Sequence, residues 1–166
     1  MRLKKKSVKR STSAELLARE YAFLLLKFRL RSEQEIAQRL RQKKFSPEVI
    51  SGTVNFLKEK DFLNDATFCR LWLASRVKRS LGPRRIIQEL KQKGISKELI
   101  DETLAGLRAD YSEGEKVLEL AQDRLAKLKS LEPLVARRRT FAYLIRRGFS
   151  PEIVQDTISA LCKQRS

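Results

Sequence analysis

Apolar residues recur along this 166-residue chain three or four positions apart, which is the spacing of one face of an α-helix. In segment 46–57, for example, Ile50, Val54 and Leu57 follow one another at i, i+4 and i+7. No stretch alternates convincingly between apolar and polar residues as a half-buried strand would. The pattern therefore predicts an all-α protein.

One segment of the sequence recurs three times without gaps. The copies are LRQKKFSPEVISGTVNFL at 40–57, LKQKGISKELIDETLAGL at 90–107 and LIRRGFSPEIVQDTISAL at 144–161. Lys44, Gly94 and Gly148 fall where a helix ends in the left-handed conformation, a position that favours glycine. A serine follows two residues later, where it can cap the next helix. Each copy is thus predicted to contain a helix end, a tight turn and a helix start.

A longer amphipathic helix is predicted before each copy. The first follows a capping box of Thr12 and Glu15, the second is capped by Asp65, and the third is capped by Ser112. Their expected core-facing residues are Leu17, Tyr21, Leu24 and Phe28; Phe68, Leu71, Trp72 and Ser75; and Leu118, Ala121, Leu125 and Leu128. Middle helices are predicted to start at Ser32, at Gly82-Pro83 and near Pro133.

These elements predict nine helices in three tandem three-helix repeats. The expected boundaries are 12–60, 61–110 and 111–166, preceded by a basic flexible arm at 1–11. Because a module of this length is marginally stable alone, packing between neighbours should stabilise it, and we expect an elongated, curved array.

The amino-acid composition limits the classes of function that this chain can have. Lysine and arginine number 37 against 20 acidic residues, a net charge of +17 that favours a polyanionic partner such as nucleic acid. The chain has no histidine and only two cysteines without a CxxC pair, which excludes histidine-based catalysis and the common zinc sites. Its glycines form no nucleotide-binding loop. We therefore expect a binding protein and not an enzyme, with no cofactor and no metal.

The sequence also bears on location. The longest apolar run near the N-terminus, Tyr21 to Leu26, is far shorter than the roughly 20 residues that span a bilayer. The basic opening MRLKKKSVKR has no apolar segment directly behind it, as a signal peptide would. We expect a cytoplasmic protein, with no membrane partner, that is a monomer.

Two basic segments are candidate contact surfaces, 76–93 and 137–147. On helical wheels, Arg84 lines up with Gln88 and Lys91, and Arg139 lines up with Tyr143 and Arg146, both rows turned away from the apolar stripe. Such rows could contact phosphates and stack on a base or a partner side chain. The alternative is an ordinary solvated helix face whose arginine stems cover apolar surface.

The middle module carries a distinctive combination of motifs. Asp65 to Phe68 give D-x-x-F, Ser75-Arg76 follow, and then come GPRRI at 82–86 and ELKQKGI at 89–95. With RRRTFAYLIRRGFSPEIVQDTI at 137–158, this combination resembles the RecX family of bacterial regulatory proteins. The resemblance covers approximately residues 15–162.

The resemblance implies tandem three-helix repeats that bind RecA in the groove of the RecA–DNA filament. The family modulates, and usually inhibits, the ATPase, strand-exchange and co-protease activities of RecA, which implies a role in homologous recombination, DNA repair and the SOS response. Single- or double-stranded DNA is expected to contact the basic faces. The alternative is an autonomous basic helical DNA- or RNA-binding protein. The residues that we predict as electrostatic or stacking contacts are Arg76, Arg79, Arg84, Arg85, Lys91, Arg139, Tyr143, Arg146 and Arg147.

Overall fold

A computed structural model describes residues 12–107 and 111–163 of the chain, and within these residues the protein forms nine α-helices and no strand. The helices are α1 (Ser13–Phe28), α2 (Glu33–Gln42), α3 (Pro47–Glu59), α4 (Asp65–Lys78), α5 (Pro83–Gln92), α6 (Lys97–Leu107), α7 (Glu113–Lys127), α8 (Pro133–Arg147) and α9 (Pro151–Lys163). This order confirms the predicted all-α class and its nine helices. The predicted basic arm at 1–11 lies outside the described residues.

The turn between the second and third helix of each repeat has the predicted geometry. Lys44, Gly94 and Gly148 have φ angles of 63°, 78° and 89°. In the first two turns the serine hydroxyl accepts a backbone hydrogen bond, from Val49 to Ser46 at 3.4 Å and from Leu99 to Ser96 at 3.3 Å. The recurring sequence thus encodes a recurring helix end and helix start.

The chain divides into two compact units, one ending at Phe68 and the other beginning at Cys69. In the first unit, α1, α2 and α3 enclose a core to which α1 contributes two alanines. The fully or nearly buried members of this core are Ala18, Ala22, Ile36, Leu40, Ile50, Leu57 and Leu63. Small residues on α1 let the other two helices approach closely.

The second unit contains the core of the third repeat, formed by α7, α8 and α9. Its buried members are Val117, Ala121, Leu125, Ala136, Leu144, Phe149, Val154, Ile158 and Leu161. Val154, Ile158 and Leu161 form the stripe that the repeat predicts on α9. The second repeat also buries residues in this unit, namely Cys69, Leu73, Ile86, Leu90, Ile95 and Ile100.

The predicted buried face is wrong in part for the first helix of each repeat. Leu17, Leu24 and Phe28 are exposed on α1, where the alanines of the adjacent face are buried instead. Leu71 on α4 and Leu118 on α7 are exposed too, while Leu73 and Val117 are buried in those two helices. Several apolar residues flank the buried ones in each helix, so spacing alone did not select the face that packs.

The predicted cap of α4 is also wrong, by one residue. The side chain of Asn64 accepts the hydrogen bond from the backbone N–H of Thr67 at 3.0 Å, so Asn64 caps the helix. Asp65 instead accepts a hydrogen bond from the backbone N–H of Glu33, the first residue of α2, at 2.9 Å. Asp65 therefore pairs with a backbone N–H group at the start of a different helix, α2.

Candidate functional site

The nine predicted contact residues all lie in the second unit. Arg76 is on α4 and Arg79 follows its end; Arg84, Arg85 and Lys91 are on α5; Arg139, Tyr143, Arg146 and Arg147 are on α8. The start of α5 and the end of α8 meet, and this meeting point brings several of these residues together. We call it the junction.

Backbone hydrogen bonds hold the junction. The N–H of Gly82 donates to the carbonyl of Arg147 at 2.8 Å, and the N–H of Arg84 donates to the carbonyl of Gly148 at 3.1 Å. Gly82 has no side chain to cap α5. The carbonyls at the end of α8 therefore satisfy N–H groups at the start of α5, and the opposite partial charges of the two helix ends favour this arrangement.

Two glycines permit this close approach. A Cβ atom at Gly82 would overlap the backbone of Gly148 and Phe149. A Cβ atom at Gly148 would overlap Arg85, and the φ angle of Gly148, 89°, is in the left-handed region. The sequence indicated a left-handed cap at Gly148, but the contact between the two glycine-containing turns is evident only in the structure.

Two arginine side chains strengthen the junction by donating to carbonyls at helix ends. Arg147 donates from Nη1 to the carbonyls of Arg79 and Ser80, at 2.7 and 2.8 Å. Arg85 donates from Nη1 to the carbonyl of Arg146 at 3.1 Å. These two arginines, which the sequence nominated as partner contacts, thus form intramolecular bonds.

Arg76 joins α4 to α5 through a charged cluster. Its Nε atom lies 2.6 Å from a carboxylate oxygen of Glu89, and its guanidinium carbon lies 3.8 Å from the centre of the Trp72 ring. The indole N–H of Trp72 donates to the same carboxylate at 3.1 Å, and Lys93 lies 5.0 Å above the ring. Trp72, expected mainly as a core residue, is therefore only partly buried and packs beneath cations.

The carboxyl group of Glu89 is the electrostatic centre of this cluster. Burial acts to raise its pKa, but the hydrogen bond and charge of Arg76, with bonds from Arg85 and Trp72, outweigh burial. The pKa of Glu89 consequently lies below its ordinary value. Glu89 is held ionised and neutralises part of the arginine charge.

The other predicted contacts, except Tyr143, are exposed to solvent. Arg79, Arg84, Lys91, Arg139 and Arg146 are exposed. Arg84 lies 3.8 Å from Glu152, but both side chains are mostly exposed, at 59% and 73%, so this ion pair is weak. Tyr143 is partly buried, with the guanidinium carbons of Arg124 and Arg147 at 5.1 and 5.0 Å from its ring centre.

An open groove of about 450 Å³ lies at the junction, and we call it the junction groove. Its lining consists of Arg84, Arg85, Gln88, Glu89, Gln92, Ile145, Arg146, Gly148 and Phe149. Three arginines face it against one carboxylate, Glu89, that is already paired, so the groove is suited to anionic groups. Lys91 and Arg139 do not line it.

Across residues 12–107 and 111–163, no group of three or more His, Cys, Asp or Glu side chains is arranged to hold a metal ion. No helix among the same residues combines the length and apolar character needed to cross a membrane.

The fold and the arginine-lined groove define a class: a helical-repeat protein with a basic surface suited to anionic partners. The sequence matches three consecutive domains of one family, described as RecX first, second and third three-helix domain, at residues 18–57, 64–104 and 112–158. This chain belongs to the RecX family of regulatory proteins.

Individual relatives agree with this assignment. Regulatory protein RecX of Mannheimia succiniciproducens is 33% identical over 143 residues, covering 86% of this chain and 92% of the relative. That of Halorhodospira halophila is 31% identical over 153 residues, covering 89% and 90%. Regulatory protein RecX of Clostridium botulinum (strain Alaska E43 / Type E3) is 29% identical over 87% of this chain, which spans 68% of that longer relative.

A solved structure supports the fold independently. The crystal structure of RecX from Lactobacillus salivarius superimposes with a TM-score of 0.75 at 22% identity, covering 89% of this chain and 96% of the solved one. At this identity the likeness establishes the shared fold.

Proposed function

We propose that this protein is cytoplasmic, binds the RecA–DNA filament and modulates RecA, mainly by inhibiting its ATPase, strand-exchange and co-protease activities. The observation that carries the proposal is the match of three RecX domains in order along residues 18–158. A net charge of +17 supports it, because a filament that contains DNA is a polyanion.

The proposed mechanism is physical obstruction, in which this chain neither makes nor breaks a covalent bond. The nine predicted residues divide into two groups by their surroundings. The exposed cations Arg79, Arg84, Lys91, Arg139 and Arg146 contact phosphates or acidic protein groups directly. Arg76, Arg85, Tyr143 and Arg147 are engaged within the chain and position the elements that carry the exposed cations.

The test is the ATPase activity of RecA on single-stranded DNA, titrated with this protein at substoichiometric ratios. We expect ATP hydrolysis to fall as the protein is added. A control with heat-unfolded protein at the same concentration separates specific inhibition from the effect of adding a polycation. An unchanged rate up to equimolar protein would contradict the proposed function.

A second candidate function is autonomous nucleic-acid binding, which the exposed cations also favour. A protein that binds bare duplex DNA should lose affinity with a slope of log K against log salt near −0.9 per phosphate contacted, whether or not RecA is present. Contacts with RecA itself should instead preserve filament binding at salt that abolishes binding to the naked strand. Competition between RecA-coated and naked strands at increasing salt distinguishes the two functions.

A further inference from the structure

The outer face of α1 carries a row of four apolar side chains, of which only Tyr21 packs against the core of the first unit. Leu17, Leu24 and Phe28 are 56%, 51% and 75% exposed, and Tyr21 lies between them, partly buried. The four residues are spaced four, three and four apart, which is the spacing of the contact positions in a two-helix coiled coil. The core of the first unit uses the neighbouring face, with Ala18 and Ala22.

Exposed apolar residues concentrate in this part of the molecule. Among the described residues before Asp65, the large exposed ones are Leu16, Leu17, Phe23, Leu24, Phe28, Leu30 and Phe62. The corresponding residues farther along the described chain are Leu71, Leu118 and Leu134, one on each of three helices. A concentration of exposed apolar residues on one helix marks an interaction site more often than scattered single residues do.

The charged residues beside the row indicate which kind of partner the row can bind. Glu20 and Lys27 are both exposed, are seven residues apart and therefore lie on the same side of the row. If a second α1 packs antiparallel against the first, Glu20 of each copy faces Lys27 of the partner subunit. The same arrangement sets Leu17 opposite Phe28 of the partner subunit and Tyr21 opposite Leu24 of the partner subunit.

We infer that the row Leu17, Tyr21, Leu24 and Phe28 is the interface of a homodimer, in which two α1 helices pack antiparallel about a two-fold axis. The face is complementary to a second copy of itself, because apolar residues meet apolar residues and Glu20 meets Lys27 of the partner subunit. A two-fold interface requires such self-complementarity. Glu20 and Lys27 beside the row cancel each other in charge, and Lys43, whose Nζ atom lies 5.4 Å from the centre of the Tyr21 ring, adds one positive charge. This proposal replaces the monomer expected from the sequence.

The net charge of the chain gives the dimer a characteristic salt dependence. Two copies at +17 each repel one another, and salt screens that repulsion while leaving apolar burial intact. We therefore expect a weak dimer, with a dissociation constant on the order of micromolar, that tightens as salt rises. DNA binding through the exposed cations should weaken over the same range of salt.

Sedimentation equilibrium of the full chain at several concentrations, in about 0.1 M and about 0.5 M salt, tests the interface. We expect the average mass to rise toward that of a dimer as the protein concentration increases. In the higher salt this rise should occur at a lower protein concentration. Leu24→Glu should remain a monomer under all these conditions, with an unchanged circular dichroism spectrum. The matched control is Leu71→Glu, which alters a leucine on α4 that is also 51% exposed and should dimerise like the unaltered chain.

A charge swap tests the antiparallel arrangement. Glu20→Lys alone and Lys27→Glu alone each create like-charge pairs and should weaken dimerisation by roughly 2- to 10-fold at about 0.1 M salt. The double variant Glu20→Lys/Lys27→Glu recreates the opposite-charge pairs and should restore it. A double variant no better than the single ones would overturn this arrangement.

Two further results would overturn the homodimer. One is a chain that stays monomeric at every concentration and salt. The other is a Leu24→Glu variant that still dimerises. If the unaltered chain is a monomer and Leu24→Glu weakens filament binding, α1 contacts a different protein and the inference is wrong, although the proposed function stands.

Discussion

At the residue scale, Gly82 and Gly148 allow the backbones of two repeats to touch. Both turns lack a side chain at the point of contact, where the N–H of Gly82 reaches the carbonyl of Arg147. Arg84, whose own N–H donates to Gly148, is thereby fixed at the edge of the junction groove. The glycine in the GPRRI motif thus has a packing role that is separate from the charge of its arginines.

Gly82→Ala is expected to destabilise the second unit. The added Cβ overlaps the backbone of Gly148 and Phe149, which cannot move aside as a flexible side chain could. Overpacking of this kind costs about 1–3 kcal/mol. Urea denaturation followed by circular dichroism measures the loss, and a variant as stable as the unaltered chain would show that the junction is loose.

Gly52→Ala is the matched control and is expected to have the opposite effect. Gly52 lies inside α3, and a Cβ atom there would meet nothing within 4 Å. Alanine favours a helix interior over glycine by about 0.5–1 kcal/mol, so this variant should be more stable by that amount. The same denaturation measurement tests it, and lowered stability would mean that glycine is needed at this position.

At the element scale, α5 combines a buried apolar face with a charged flank. Ile86 and Leu90 are buried, while Glu89 on the same helix receives Arg76 and Trp72 from α4. Both side chains are largely covered, so water and salt screen this ion pair less than an exposed one. Charge therefore helps fix the contact between α4 and α5, in addition to apolar packing.

Glu89→Gln is expected to lower stability in a pH-dependent manner. The folded protein depresses the pKa of Glu89. At pH values just below the ordinary pKa of 4.5, the unfolded chain therefore binds more protons than the folded protein does. The stabilisation is therefore present above pH 4.5 and is lost as pH falls through the depressed pKa. Thermal melts at several pH values should show a gap between the two proteins near neutral pH that narrows below pH 4.5. A gap that is independent of pH would contradict the role assigned to this carboxylate.

At the scale of the whole molecule, positive charge is the dominant property, but its contribution to binding depends on which cations are available. Arg84 and Arg146 both line the junction groove and are exposed. Arg85 lines the same groove but bonds to the carbonyl of Arg146 and to Glu89. Reversing the charge of Arg85 would therefore disturb both the fold and binding. Altering Arg84 and Arg146 should affect binding without disturbing the fold.

The double variant Arg84→Gln/Arg146→Gln is expected to weaken DNA binding and RecA inhibition. If each arginine contacts one phosphate, the slope of log K against log salt on duplex DNA should become shallower by about 1.8. Stability should stay within about 0.5 kcal/mol, because both residues are on the surface. Fluorescence anisotropy at several salt concentrations measures the slope.

The control for this prediction removes the same charge elsewhere. Lys127 and Lys129 are exposed and do not line the junction groove. The variant Lys127→Gln/Lys129→Gln has the same net charge as the groove variant and should leave the slope nearly unchanged. Equal losses in the two variants would indicate binding by overall charge instead of by the groove.

The sequence by itself determined the local structure of this protein. The positive φ angle at Lys44, Gly94 and Gly148 and the caps formed by Ser46 and Ser96 depend on interactions within a few residues, so the repeat predicted them correctly. The hydroxyl of Ser150 instead donates to the carboxylate of Glu152. The motifs in the middle and third repeats likewise predicted the RecX family.

Only the tertiary structure decided which of several apolar faces is buried and which arginines are available. Leu17 and Ala18 are neighbours in sequence, yet the core takes the alanine because α2 and α3 pack on that side of α1. Arg146 and Arg147 look equivalent in sequence, but only Arg147 reaches the carbonyls of Arg79 and Ser80. The physical reason is that burial and long-range hydrogen bonds join residues far apart in the chain, and helical periodicity carries no information about such pairs.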